Sequence, residues 1–369
     1  IGTIPEESFI SVVISSGDGK GNKVGVIDEG FLEKIKAGDV FVLGGKKYQF
    51  MYTKGMKAYV RADIKRNPTI PSWFSEMLPL SFDSALEIGK FRRLLEKKFL
   101  DKGISGQSKK KKIVDWIKEY CYCGNSVADA VYRYFYEQYN YSKIPHDRKI
   151  LVEHYKGEKN YVVFHSLYGR RVNDVLSRAI GYLMGQKIGR DIEIGISDNG
   201  FYFAGENLPV DEAMKLLNSG NLRDVVEEAI LKTEVLKRRF RHCAARSLMI
   251  LRNYKGQRKS VGKQQMKSFF LMSAINKISK DFPILKEARR EVLEDLMDID
   301  KACEILKLVD SGQIVVENVH SELPSPFALN LVLQGYSDLM KIEDKINFLK
   351  RMHKEVMQSI VKKRRISKN

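Results

Sequence analysis

Short apolar runs separated by glycine-containing turns dominate the first part of the chain. Residues of β-branched or aromatic type cluster at Phe9–Ile14, Val24–Ile27, Val40–Leu43, Lys46–Thr53 and Met56–Ala62. Runs of this length between glycine turns are typical of short strands joined by tight connections. Five strands this closely spaced predict a small antiparallel β-barrel or sheet module, which we place in residues 1–80 together with a proline-rich elbow.

After the elbow, apolar residues recur every third or fourth position instead of every second. The first such set is Ile88, Phe91, Leu95 and Phe99. This spacing predicts an amphipathic helix over about 82–100. The Gly-, Ser- and Lys-rich stretch Gly103–Lys112 predicts an exposed loop, and helices are predicted over 111–121 and 125–139. Residues 81–148 are therefore interpreted as a helical connector.

A mixed pattern of strands and one helix follows in residues 149–207. Paired strands are predicted at Ile150–Tyr155 and Tyr161–Ser166, and two later strands at 191–197 and 200–204. The helix between these pairs carries its apolar residues at Val172, Leu176, Ile180 and Leu183. An Asn-Gly turn between the last two strands favours a tight hairpin. The order strand-strand-helix-strand-strand predicts an α+β layer.

The remaining chain, residues 208–369, is predicted to be mainly helical and basic. Its last helix has apolar residues at Ile346, Leu349, Val356 and Ile360, followed by a run of basic residues. The expected fold class is thus α+β. It combines an N-terminal small antiparallel β-barrel or sheet module, a middle mixed α+β unit and a mainly helical C-terminal part.

The charge of the chain indicates what kind of partner it binds. It has 64 Lys and Arg against 46 Asp and Glu, a net charge of +18, which indicates a phosphate-rich partner or an anionic membrane surface. No apolar run approaches the roughly 18 residues that a membrane span needs, so no membrane-spanning segment is expected. Of the two kinds of partner, we expect nucleic acid and no membrane. Four scattered cysteines fit a reducing, cytoplasmic location. The chain starts with Ile1 rather than Met, which favours a fragment of a longer polypeptide.

The sequence holds no recognised motif of catalysis. The phosphate-binding motif G-x-x-x-x-G-K-[ST] and the nucleophile elbow G-x-S-x-G are both absent. The six histidines form no H-E-x-x-H motif, and Cys121 and Cys123 lack a second pair at zinc-ligand spacing. We therefore predict no catalytic residue, no metal site and no cofactor within this chain.

The densest chemical signal is the stretch 232–267. It holds twelve Lys or Arg and one acid, Glu234, a net charge of +11 in 36 residues. The apolar residues at helical spacing in this stretch are Val235, Leu236, Phe240, Ala244, Leu248 and Leu251. They would anchor one face and leave guanidinium groups, which suit phosphate, on the other. The nucleic-acid-binding candidates here are Lys237, Arg238, Arg239, Arg241, Arg246, Arg252, Lys255, Arg258, Lys259 and Lys263. The alternative is a solvated face, or arginines paired with acids elsewhere, such as the acid-rich stretch 287–304.

Three further residues are candidates for contact with a nucleic-acid strand. Arg170 and Arg171 open a predicted helix after a glycine, where backbone N–H groups can hold a phosphate; packing of the neighbouring aromatic residues is the alternative account of this segment. Trp73 lies in a proline-fixed loop, where it could stack on a base or fill the edge of a core. From composition alone, the second role is the commoner one for a tryptophan in a loop.

Several motifs resemble landmarks of the large helicase-related (Lhr) proteins, in the same order and spacing. They stand at Ile1–Pro5, Val26–Phe31, Gly38–Gly45, Ile70–Ser81, His165–Asn173 and Pro324–Ala328. Within them, Pro71-Ser72-Trp73-Phe74-Ser75-Glu76 resembles the family's Pro-x-Trp-x-x-Glu signature in its archaeal form. The resemblance covers nearly the whole chain, which is similar to the DEAD/H-associated region that follows the motor of such a helicase.

The resemblance implies a superfamily 2 motor, with two RecA-like domains and a winged helix, located before residue 1. ATP and Mg²⁺ would belong to that motor, because the family's ATP-binding residues match nothing in this chain. Such enzymes resemble 3′-to-5′ translocases that unwind DNA duplexes and RNA–DNA hybrids. The family's role for the tryptophan of the signature, packing on the translocating strand, would fall on Trp73.

These observations favour a nucleic-acid-binding accessory region of an ATP-dependent helicase. Its expected partners are single-stranded or tailed DNA, an RNA–DNA hybrid, and the RecA-like and winged-helix domains of its own protein. The competing hypothesis is a protein-interaction scaffold that docks the motor domains or an acidic partner. A nuclease or glycosylase would need a metal-binding carboxylate cluster or a catalytic acid, and the sequence identifies neither.

Overall fold

The chain folds into two compact units, each built from two separate stretches of sequence. The first unit comprises Ile1–Leu78 and Ile230–Leu296, and the second comprises Pro79–Ala229 and Met297–Asn369. The finer division into four segments stays a prediction. The computed structural model describes residues 10–15, 22–27, 31–32, 35, 37–54, 57–62, 64, 78–101, 103, 106–156, 159–231, 233–251, 253–254, 257–258, 261–336 and 342–366.

Both units contain strands and helices. The strands of the described residues are β1 (Ile10–Ile14), β2 (Lys23–Ile27), β3 (Val40–Leu43), β4 (Lys46–Lys54), β5 (Lys57–Arg61), β6 (Lys149–Lys156), β7 (Asn160–His165), β8 (Glu193–Ser197), β9 (Gly200–Ala204), β10 (Asn253–Tyr254), β11 (Gln257–Arg258) and β12 (Val315–Ser321). The helices are α1 (Phe82–Leu100), α2 (Gly106–Tyr120), α3 (Asn125–Tyr141), α4 (Arg170–Ile188), α5 (Val210–Leu216), α6 (Leu222–Ile230), α7 (Glu234–Arg246), α8 (Val261–Ile278), α9 (Pro283–Arg290), α10 (Ile299–Asp310), α11 (Leu329–Tyr336) and α12 (Ile342–Ile366). A π-helical segment, Glu291–Leu296, directly follows α9. None of the helices in the described residues is long and apolar enough to cross a membrane.

The N-terminal sheet of the first unit has the strand order β2-β1-β5-β4-β3. All five predicted strands are present, and their ends differ by at most one residue from the prediction. Its core is formed by Ile10, Val12, Phe41, Ala58 and Val60, all at most 1% exposed. The expectation of a wholly antiparallel sheet is wrong at one place, because β1 runs parallel to β5. That pairing joins strands distant in sequence and is set by the shared core, which no local turn signal encodes.

The helices of the first unit also pack with one face buried. Thr233 caps the start of α7, where its hydroxyl accepts a hydrogen bond from the backbone N–H of Leu236. Pro283 occupies the first turn of α9, a position where its missing N–H costs nothing. Helix α7 packs against α8 and α9. This packing fixes the direction in which the basic side chains of α7 point.

The sheet of the second unit has the strand order β12-β6-β7-β9-β8. Helix α4 covers one face, where Gly181 leaves room for Ile194 and Phe203. The opposite face carries Tyr161 and Tyr202, which pack with residues of α11 and the segment before it. Because neighbouring strand residues point to opposite faces, this sheet lies between helices, as the predicted α+β layer requires.

Strand β12 completes this sheet and is absent from the prediction of a helical C-terminal part. It pairs in parallel with β6 from Val315 to Ser321. The strand lies at the sheet edge and none of its residues is fully buried, so it lacks the apolar run by which strands are recognised. Apart from β12 and the short β10–β11 pair, the described residues after 208 are mainly helical as predicted.

Helices α1, α2 and α3 share a core rich in aromatic residues. Leu95 and Phe99 of α1 meet Ile113 and Ile117 of α2 in this cluster, and α1 has the predicted ends. The expectation of an exposed loop over Gly103–Lys112 is wrong from residue 106 onward, because α2 starts there. Lysine is a good helix former, and one member of the run, Lys109, donates a hydrogen bond to the carbonyl of Phe99 near the end of α1 (2.8 Å).

Candidate nucleic-acid interface

The inner face of α7 holds the basic helix in place. Leu236, Phe240 and Ala244 are fully buried at helical spacing, as the sequence predicts. Leu248 and Leu251, expected on the same face, are instead exposed. The reason is that α7 ends at Arg246 and the backbone of Leu248 takes a left-handed φ of +60°, so the helical spacing no longer applies to them.

Two of the candidate arginines on α7 point toward a buried acid within the same unit. Glu291, only 4% exposed, accepts a hydrogen bond from Arg246, and its other carboxylate oxygen lies 3.6 Å from the guanidinium of Arg239. A third candidate, Arg241, is itself buried. For Arg239 and Arg246 the structure therefore shows the alternative interpretation, pairing with an acid of the stretch 287–304. Glu291 offsets one of these two positive charges, so the three side chains together carry about +1 rather than +2.

The other two cations of α7, Lys237 and Arg238, form no ion pair with Glu291. Lys237 forms an ion pair with Glu234 one turn earlier (2.7 Å), and both side chains are exposed, so water and salt weaken this pair. Arg238 is partly exposed and forms no ion pair or hydrogen bond with any described residue. Arg238 is accordingly the α7 cation best placed to meet a phosphate.

The remaining candidates of the basic stretch follow α7. Arg258 lies in β11 and Lys263 in the first turn of α8. Arg252, Lys255 and Lys259 fall outside the described residues, and so does Trp73, which belongs to 65–77. Their roles stay predictions.

The start of α4 is held by a carboxylate of the protein. Gly169 precedes the helix with a φ of +84°, and the backbone N–H of Arg170 donates to the carboxylate of Asp198 (2.9 Å). The N–H of Leu80 donates to the same oxygen (3.0 Å). The backbone N–H of Arg170 therefore already has an acceptor. The carboxylate of Asp198 supplies the negative charge at the helix start that was expected from a phosphate.

The side chains of Arg170 and Arg171 differ in their surroundings. Arg170 is exposed, whereas Arg171 donates a hydrogen bond to the carbonyl of Met297 (2.8 Å). The neighbouring aromatic residues Phe164 and Tyr168 are buried, so packing accounts for them. Of this group, Arg170 alone combines exposure with a place at the helix start.

A buried polar cluster, which the sequence did not predict, joins three strands of the second unit. Glu153 of β6, 1% exposed, accepts hydrogen bonds from His165 (2.8 Å) and from the hydroxyl of Ser321 (3.0 Å). Ser325 adds two more, from its hydroxyl (2.6 Å) and its backbone N–H (2.7 Å). Burial alone would raise the pKa of the Glu153 carboxyl, but the charge and hydrogen bond of His165 and the hydrogen bonds of Ser325 hold this pKa below its usual range. A lone acid inside the apolar run of β6 is the signal that could have revealed the cluster.

Arg92 of α1 is a second buried charge that the sequence did not reveal. Its guanidinium lies 4.7 Å from the ring centre of Phe327, in the motif Pro324–Ala328, and 3.4 Å from the side-chain oxygen of Asn199. Burial lowers the pKa of Arg92 to about 10. His165 and Phe327 both belong to motifs singled out in the sequence. Residues of those motifs therefore contact buried charged side chains and hold elements of this unit together.

Comparison with known proteins agrees with this architecture. The family described as "DEAD/H associated" matches residues 144–328, and the family described as "Large helicase-related protein, winged helix domain" matches residues 1–70. The ATP-dependent helicase Lhr-Core of Methanothermobacter thermautotrophicus is 46% identical over 363 residues, which cover 98% of this chain and 41% of that protein. Lhr-Core of Saccharolobus solfataricus is 41% identical over 373 residues, with the same two coverages.

A solved structure, that of the Mycobacterium smegmatis helicase Lhr bound to ssDNA and AMP-PNP, shares the fold. Its TM-score is 0.59 at 24% identity, and the match covers 73% of this chain and 33% of that one. Fold and matches together define a helicase-associated region of mixed α and β structure. The chain belongs to the Lhr family, and its residues 144–328 match the family's DEAD/H-associated part. It spans about two fifths of the length of the Lhr-Core relatives.

One expectation from the resemblance needs correction. The winged helix was placed before residue 1, whereas the winged-helix family matches residues 1–70 of this chain. The described residues of that match form the five-stranded N-terminal sheet. The sequence of residues 1–70 is dominated by strand signals, which gave no reason to assign this segment to a winged-helix domain.

Proposed function

We propose that this chain is the nucleic-acid-binding accessory region of an ATP-dependent 3′-to-5′ helicase acting on DNA or on RNA–DNA hybrids. The observation that carries the proposal is the net charge of +11 between residues 232 and 267, with Arg238 partly exposed and without a carboxylate partner among the described residues. The Mycobacterium smegmatis relative bound to ssDNA adds support. ATP and Mg²⁺ would bind in the motor domains of the whole protein.

In this proposal, Lys and Arg side chains hold the strand by its phosphates. Such contacts release counterions and carry no information about base sequence, so affinity depends steeply on salt. Trp73 would add a stacking surface for one base of the tracking strand. Accessory residues of this kind would keep the strand in register while the motor domains step along it.

The test is a fluorescence anisotropy titration of a labelled 3′-tailed DNA duplex with the chain at several salt concentrations. We expect affinity to fall steeply as salt rises, and Trp73→Ala to weaken binding further at every salt concentration. The loss for Trp73→Ala is expected to be about 1–3 kcal/mol, the contribution of one stacked base.

Other outcomes of this titration separate the alternatives. If binding depends on salt but is unchanged by Trp73→Ala, the chain has a phosphate-binding surface and the stacking role of Trp73 is refuted. Absence of binding at low salt would contradict the proposal and favour the scaffold that docks the motor domains or an acidic partner.

A pair of matched variants tests which arginines contact phosphate. Arg238→Gln is expected to reduce the slope of log affinity against log salt by about 0.7–0.9, the value for one lost phosphate contact. Arg290→Gln removes the same charge in the same unit, but Arg290 is tied to Glu287 (2.9 Å) and Asp295 (3.1 Å). It should leave the slope nearly unchanged. Equal effects of both variants would show that only net charge matters and that Arg238 makes no specific contact.

A further inference from the structure

Helix α8 exposes large apolar side chains on the face opposite its packed one. Its buried residues Ser268, Met272 and Ile275 lie at helical spacing on one side. On the other side Phe269 is 58% and Phe270 64% exposed. Large aromatic side chains that stay in contact with water next to each other favour a binding surface.

The two exposed rings lie side by side. Their centroids are 5.9 Å apart and their planes meet at 71°, an edge-to-face arrangement. The 56% exposed side chain of Met266 lies one turn before Phe270 on the same helix. Because the two ring planes are steeply inclined to each other, each ring is a separate aromatic contact, which suits a partner that presents several planar apolar groups.

The charge of α8 identifies the class of that partner. The helix carries Lys263, Lys267 and Lys277 and no acidic residue. Neither Lys267 nor Lys277 forms an ion pair with any described residue. An uncharged apolar partner would gain nothing from these lysines, and a DNA duplex hides the faces of its bases. Unpaired nucleotides supply both phosphates and accessible base faces, and aromatic residues among basic ones are typical of single-strand binding surfaces.

We propose that Phe269 and Phe270 form a stacking platform for unpaired bases, with Lys267 serving the adjoining phosphates. The platform rests on the proposed function, because it names further residues by which a strand would be held. It is separate from Trp73 in sequence and lies on an element for which the sequence predicted only a phosphate contact, Lys263.

The test compares two labelled strands of equal length, about 20 nucleotides: oligothymidylate, and an abasic strand that keeps the phosphates and lacks the bases. For the double variant Phe269→Ala/Phe270→Ala in the full chain, we expect affinity for oligothymidylate to fall about five-fold or more. Affinity for the abasic strand should stay within about two-fold of the wild type, because phosphate contacts are unchanged. The double variant Phe269→Trp/Phe270→Trp should retain the affinity for oligothymidylate.

Two controls guard this experiment. Tyr122→Ala removes another ring, 97% exposed, from the other unit and should bind both strands as the wild type does. Thermal unfolding of the Phe269→Ala/Phe270→Ala variant should match the wild type, since both rings are largely outside the core.

The outcomes distinguish the platform from the function on which it rests. If the wild-type chain binds neither strand, the proposed function fails and the platform fails with it. If the wild type binds oligothymidylate and the alanine variant binds it equally well, the function stands and the platform is refuted, which would leave the apolar face to a protein partner. Equal losses on both strands would also refute it, because the phenylalanines would then act without touching bases.

Discussion

Replacing Glu153 by leucine is expected to lower the free energy of unfolding by about 3–5 kcal/mol. The carboxylate accepts four hydrogen bonds from His165, Ser321 and Ser325, all inside the second unit. A leucine of similar size fills the space but leaves these donors buried without an acceptor, and each unsatisfied group costs about 1–3 kcal/mol. Urea unfolding followed by circular dichroism measures the loss. Glu153→Gln, which keeps one acceptor oxygen, should give a smaller loss.

The contribution of Glu153 to stability depends on pH in a definite direction. Burial by itself would raise the pKa of Glu153, but the hydrogen bond and charge of His165 together with the hydrogen bonds of Ser325 lower this pKa in the folded chain. A carboxyl whose pKa is lower when folded stabilises the fold above its unfolded pKa of about 4.3. That stabilisation is lost as pH falls through the folded pKa. The difference between wild type and Glu153→Leu should therefore shrink when unfolding is measured in increasingly acidic buffer.

Glu317→Gln is the matched control for Glu153. Glu317 lies on the adjacent strand β12 and pairs with Lys143 at 2.6 Å, but the lysine side chain is 58% exposed. A solvated pair of this kind contributes about 0–1 kcal/mol. A Glu153→Leu variant as mild as Glu317→Gln would mean that the buried cluster does not stabilise the sheet.

Local periodicity was enough to predict much of this fold. Strand β3 and helix α1 have the predicted ends, because each has a clear apolar period and a marked boundary. Helix α1, for example, begins after Ser81, whose hydroxyl accepts a hydrogen bond from the N–H of Ser84. Such signals lie within a few residues of one another.

The failures in strand pairing and at the start of α2 involve partners distant in sequence. The parallel pairing of β1 with β5 and of β12 with β6 depends on which strands meet in the core. The lysines before Ile113 looked like a loop because their helix is stabilised from elsewhere, through Ile113 and Ile117 against α1 and α3. Local spacing carries no information about those contacts.

The same limit applies to the candidate interface. The sequence showed that α7 is basic and amphipathic, but not that Glu291 would take up Arg239 and Arg246. That acid lies 45 residues beyond Arg246 on a π-helical segment, and no spacing rule joins the two. The structure ranks the α7 cations as candidates for phosphate contact. Arg238 ranks first because it forms no ion pair with any described residue, whereas Arg239 and Arg246 pair with Glu291.

Gly200→Ala is expected to be the most damaging glycine substitution in the sheet of the second unit. Gly200 has a φ of +148°, which residues with side chains rarely adopt, and a Cβ there would lie 2.0 Å from the backbone oxygen of Phe164. The obstacle is backbone of β7 in the middle of the sheet, so it cannot turn away as a side chain could. We expect a loss of about 3 kcal/mol or more in the free energy of unfolding, measured by urea denaturation.

The damage should reach the start of α4, because the turn that contains Gly200 also holds Asp198. Asp198 accepts hydrogen bonds from the N–H groups of Leu80 and Arg170, so a shifted turn would release both. Amide hydrogen exchange should therefore quicken at Arg170 in Gly200→Ala. Gly124→Ala is the control, because a Cβ at Gly124 meets nothing within 4 Å, and its effect at this helix N-cap should be at most about 1 kcal/mol. If Gly200→Ala unfolds like Gly124→Ala and leaves exchange at Arg170 unchanged, the close approach to Phe164 does not constrain this turn.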